Sequence, residues 1–75
     1  MSIKYTPEWA LNQMKWFYLN NMQNFAQNMM WDFISVANDW DNPHNVRGLY
    51  FDWTRKDFEN TARLYKEWLA KKESE

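Results

Sequence analysis

Between Leu11 and Trp40 the apolar residues recur in steps of three, four and four: Leu11, Met14, Tyr18, Met22, Phe25, Met29, Phe33, Val36 and Trp40. A repeat of this kind is close to an eleven-residue period, about 3.67 residues per turn, so the stripe lies nearly straight along an α-helix. Strand alternation is absent. The helix also has a clear start. Thr6 caps the free backbone N–H groups, Pro7 suits the first helical position, and Glu8 suits the positive end of the helix dipole. Tyr5, just before the cap, and Ile3 are placed to pack back on the first turn.

A second apolar line runs beside the first, through Leu19, Ala26, Met30, Ile34 and Ala37, with Trp16 further round. The combined face is wider than one partner helix covers. The opposite face is rich in amides, with Asn20, Asn21, Asn24, Gln27, Asn28 and Asn38. Asparagine is a mediocre helix former, so a helix of this composition depends on packing. Phe17 and Trp31 fall on the amide side and are expected to meet another chain, because aromatic residues are enriched at interfaces. Asp32 is the one charge near the main stripe. It reads either as a boundary residue pairing with Arg47 or Arg55, or as a polar specificity contact across an interface.

The sequence from Asp39 to Gly48 contains Asn42-Pro43, which ends the helix. Gly48, the only glycine, is expected at a positive φ. Leu49, Tyr50, Phe51 and Trp53 form a dense patch suited to plugging one end of the molecule. A second helix begins near Thr54, which together with Asp57 resembles a capping box. Its apolar stripe is Phe51, Phe58, Ala62, Tyr65 and Leu69, widened by Thr61, Leu64 and Trp68. Its outer face is charged, with Glu59 and Arg63 spaced for an ion pair.

These signals predict one all-α domain over 1–75, with a helix over about 7–39, a loop over about 40–52 and a helix over about 53–72. At 1.5 Å per residue the helices are roughly 50 and 30 Å long. In an antiparallel hairpin the shorter helix leaves 9–18 uncovered, exposing Trp9, Leu11, Met14, Trp16, Phe17 and Tyr18. That much apolar surface calls for oligomerisation or a partner. The alternative is a three-helix bundle with a break near Asn20-Asn21. The unbroken helix is preferred, because the stripe keeps its phase there and no Gly or Pro interrupts it.

Chemistry is weakly signalled. There is no cysteine, so neither a disulfide nor a thiolate is available. The only histidine, His44, lies near Asp39 and Asp41, but Tyr50 falls where a calcium loop would need its closing Glu. A zinc site lacks further ligands. Carboxylates at Asp32, Asp39, Asp41 and Asp52 show no spacing that singles out an acid/base pair. Ser35 with His44 makes no credible nucleophile pair. No catalytic residue, cofactor or metal is expected. A net charge of −1 gives no electrostatic footprint for nucleic acid. The apolar runs are too short for a transmembrane segment, and the N-terminus lacks the layout of a signal peptide, which suggests a cytoplasmic protein.

Aromatic residues make up 20% of the chain, six of them Trp, more than a hairpin of this size can easily bury. The expected function is a protein–protein interaction module that self-associates or serves as an accessory subunit or inhibitor of a larger complex. Its expected contact residues are Trp9, Leu11, Met14, Trp16, Phe17, Tyr18 and Trp31. The alternative is an amphipathic coat on an apolar lipid or polymer surface. The first helix, rich in Asn, Gln, Met and Phe, resembles phasins in composition, although no motif carries the likeness and the weakly charged polar face does not suit anionic membranes. A small enzyme is the third reading.

Overall fold

The structure, a computed structural model, describes residues 5–75; Ile3 lies outside the described residues. The described chain contains helices α1 (Pro7–Leu19), α2 (Gln23–Asn38), the short α3 (Asn45–Leu49) and α4 (Arg55–Glu73). Helices α1, α2 and α4 each pack against the other two, and α3 rests on α2. The unbroken helix over 7–39 is therefore replaced by the three-helix alternative. The longest dimension, 37 Å, is shorter than the roughly 50 Å an unbroken helix would need.

Hydrogen bonds at the turn explain the break. Asn21 has a φ of 63°. The Met22 N–H donates to the Phe17 carbonyl at 2.7 Å, and the Asn21 N–H to the Tyr18 carbonyl at 3.3 Å. This is a Schellman ending, with asparagine instead of glycine in the left-handed position. The Asn20 side chain adds a hydrogen bond to the Trp16 carbonyl. Met22 then serves as the first residue of the next turn, accepting from the Phe25 and Ala26 N–H groups. The periodic stripe continues across the turn, but the two sides of it do not share one face.

Each helix consequently buries a different set of residues than one straight stripe implies. In α1 the deepest residues are Ala10 and Met14. In α2 they are Ala26, Met30, Phe33, Val36 and Ala37, mostly the second apolar line rather than the first. Phe25, expected inside, is 58% exposed, and Met22 is exposed as well. In α4 the buried residues Phe58, Thr61, Ala62 and Tyr65 follow the expected stripe, but Phe51 lies outside the helix and faces solvent.

The helix starts agree with the sequence. The Trp9 N–H donates to Thr6 Oγ1. At Thr54 and Asp57 both arms of the capping box are present. Arg63, however, pairs with Glu67 at 3.2 Å rather than with Glu59. Gly48 lies within α3 at a negative φ, so the expected left-handed glycine is absent, and among the described residues Asn21 alone takes that conformation.

One end of the bundle is closed by an aromatic cluster. Phe33 sits 5.3 Å from Tyr50, 5.4 Å from Trp53 and 5.8 Å from Phe58, measured between ring centroids. Tyr50 and Trp53 therefore act as the plug, while Leu49 and Phe51 turn outward. The Trp53 indole donates to the Tyr5 carbonyl at 2.9 Å, tying the start of α1 to the start of α4. Arg55 Nε donates to the Ala37 carbonyl at 2.7 Å. Arg47 donates to the Trp40 carbonyl at 2.8 Å, with its guanidinium 3.8 Å from the Trp40 ring centroid. Both arginines thus hold the C-terminal end of α2, where positive charge is favourable, and neither pairs with Asp32.

Candidate functional site

The fold-back of α1 divides the expected contact residues. Met14 is fully buried and belongs to the chain's own core. Tyr18 is half-buried and meets Trp68 of α4 edge-on at 5.4 Å. Leu11 is likewise half-buried, in a crevice shared with Thr61 and Leu64 of α4. The uncovered overhang does not exist, because α2 and α4 cover those side chains. Trp9, Trp16 and Phe17 fall on the other flank of α1. Trp31 stands apart on α2, 52% exposed, at the helical spacing of its neighbours Gln27, Asn28 and Ser35.

Trp9, Trp16 and Phe17 help form a continuous aromatic flank. Trp16 and Phe17, expected on different sides of the helix, are 5.7 Å apart between ring centroids. Phe17 in turn lies 5.6 Å from Phe25 across the turn. Phe17 also lines a groove of about 320 Å³ between α1, α2 and α3. Trp9, Gln13 and Phe17 form the α1 wall; Met29 and Asp32 form the α2 wall; Leu49 and Tyr50 close the α3 side. The spacing of Trp9, Gln13 and Phe17, four residues each, places them along one edge of α1. Trp16, Phe25 and Leu49 are at least half exposed around this groove, at 50%, 58% and 59%.

The groove wall is supported from behind. Tyr5 packs against Trp9 at 4.4 Å and Tyr50 at 5.8 Å, so both rings are held by the same neighbour. Burial pushes the Tyr50 hydroxyl above the ordinary tyrosine value of 10.0, with further contributions from Tyr5 and the Asp32 carboxylate. Among the described residues Asp32 is the only charged one in the lining. Among the described residues no cation pairs with it.

The sequence pattern did not indicate Phe25 and Leu49 as surface residues, because both belonged to apolar segments that looked internal. The signal that relocates Phe25 is the asparagine pair. Once Asn21 ends α1, a new helix phase starts at Gln23, and the run Ala26, Met30, Phe33, Ala37 becomes the inner line.

Two of the polar candidates take part in local structure. His44 Nδ1 accepts from the Val46 N–H at 3.2 Å and caps α3. Asp39 accepts from the Asn42 side chain. Among the described residues no three His, Cys, Asp or Glu side chains are grouped to hold a metal ion. No helix among them is long and apolar enough to cross a membrane. No family model, curated protein or solved structure matches the chain.

Proposed function

We propose that this protein is a small helical protein–protein interaction module, acting through the flank formed by Trp9, Trp16, Phe17, Phe25 and Leu49. The observation that carries the reading is the contiguity of these side chains. Trp16, Phe17 and Phe25 touch in series, and Phe17, Trp9 and Leu49 line one groove. Scattered exposed aromatics are ordinary on a protein surface, but a joined set around a concave centre is the usual form of a contact site. The chain has a core of its own, so this reading does not rest on a partner completing the fold. Association is instead a property of the surface. The coat reading has less support, because the helix over about 7–39 that motivated it is divided at Asn21 into α1 and α2.

The test compares wild type with Trp16→Ala. Truncation of a central interface Trp costs about 2 kcal/mol or more, roughly 30-fold in affinity. Trp16 is half exposed, so the melting temperature at low concentration should change little. Sedimentation over a wide concentration range reads self-association, and binding to a partner purified from the native source reads hetero-association. A 30-fold loss in either supports the reading. A wild-type chain that stays monomeric and binds nothing, or a Trp16→Ala chain that associates as well as wild type, overturns it.

A further inference from the structure

We infer that the groove between α1, α2 and α3 receives an arginine side chain presented by a different protein, with Asp32 as its charge partner. This rests on the interaction reading above and adds the chemistry of the occupant. Size comes first. A volume of about 320 Å³ is at the low end for ligand sites, which span about 300–1,000 Å³. It suits one long side chain better than a nucleotide or large cofactor.

The lining then selects the type of side chain. Trp9, Phe17 and Tyr50 offer aromatic surfaces, and Met29 and Leu49 offer aliphatic ones. A neutral apolar side chain would satisfy these but would leave the exposed Asp32 carboxylate beside the groove without a counter-charge. A cation on an apolar stem satisfies both parts. Its stem packs on the aliphatic wall, its charge meets Asp32, and the aromatic faces attract it.

Arginine fits better than lysine for two reasons. Its planar guanidinium stacks on aromatic rings, and its five donors can serve the Asp32 carboxylate and the Gln13 amide oxygen together. The molecule already contains such a pairing, with Arg47 lying 3.8 Å from the Trp40 ring centroid while donating to a carbonyl.

The chain's own arginines also indicate that the donor is another protein. Arg47 and Arg55 are held by the Trp40 and Ala37 carbonyls, and Arg63 by Glu67 and Asn60. A second copy would have to break one of these contacts to supply a guanidinium.

The probes are N-acetyl-arginine-N-methylamide and its norleucine counterpart, titrated into the full chain. Chemical shifts of the Trp9 indole and of the Asp32 and Leu49 amides report binding. The arginine probe should bind saturably, with a dissociation constant on the order of 1–10 mM, and should weaken as salt is raised. Asp32→Asn should weaken it about three- to fivefold without changing the norleucine result. Asp32 is exposed, so the substitution should not disturb folding. Equal binding of norleucine, indifferent to Asp32→Asn, overturns the arginine assignment and leaves the groove as an apolar contact. Failure of both probes to shift the groove residues removes the groove as a binding site. If Asp32→Asn instead lowers self-association, the occupant is a second copy and the assignment to a different protein is overturned. Each of these failures is separable from failure of the interaction reading, which is measured by association of the Trp16→Ala chain.

Discussion

The two halves of this molecule bury their aromatic residues differently. In α4, Phe58 and Tyr65 are inside and Trp68 is half-buried, while the outer surface is mostly charged, with Leu64 the one large apolar side chain exposed there. In α1 and α2, Trp9, Trp16, Phe25 and Trp31 are exposed, on helices whose other surface residues are largely amides. Both halves have helical periodicity, and α1 and α2 together carry the more aromatic residues. The difference shows that α4 is arranged to be covered on one side only. The α1–α2 hairpin carries apolar surface on the side facing its neighbours and also on the side facing solvent.

The largest test of this contrast is a pair of phenylalanines. Phe58 is fully buried, 4.9 Å from Trp53 and 5.8 Å from Phe33 between ring centroids. Phe58→Ala should cost about 3–5 kcal/mol in chemical denaturation. Phe25→Ala, whose side chain is mostly exposed, should cost less than about 1 kcal/mol. Comparable losses from the two would mean that the flank is as much a part of the core as the aromatic plug.

The turn between α1 and α2 gives a smaller effect. With a φ of 63°, Asn21 occupies a conformation that costs most L-residues about 1–2 kcal/mol. Asn21→Ala should destabilise by about 1 kcal/mol, and Asn21→Gly should leave stability equal or slightly higher. If alanine is tolerated as well as glycine, the hairpin does not depend on this turn, and the contrast with the sharply capped α4 disappears.

The smallest effect lies in the segment that joins the halves. Gly48 is helical at a negative φ, and a Cβ built there meets nothing within 4 Å. Gly48→Ala should therefore stabilise the folded state by about 0.4–1 kcal/mol, chiefly by restricting the unfolded chain. A loss of stability, read from the denaturation midpoint, would show that α3 needs a freedom its backbone angles do not display.

The same contrast explains how far the sequence could be read. The α4 boundaries were legible because its signals are local: Thr54 and Asp57 cap it, and Phe58, Ala62 and Tyr65 mark one stripe. The end of α1 was not, because asparagine serves both as a mediocre helix residue and as a left-handed one. Only the hydrogen bonds of Asn21 and Met22 distinguish the two roles. Without that turn the apolar face of α2 includes Phe25 as well as Ala26, whereas only Ala26 is buried. Asp32 was already notable as a lone charge beside an apolar stripe. Its position in an aromatic groove depended on α3 and Tyr50, which lie well beyond it in sequence and reach it only through tertiary packing.

The hydrogen bond from the Trp53 indole to the Tyr5 carbonyl joins residues 48 positions apart. Of the six tryptophans, this one alone is buried. Its indole proton therefore reports the parting of the start of α1 from the start of α4, whether that end frays or the whole molecule opens. The exposed indoles of the flank, by contrast, are already in contact with solvent, so the protein carries a reporter of its closure and reporters of its surface in one residue type.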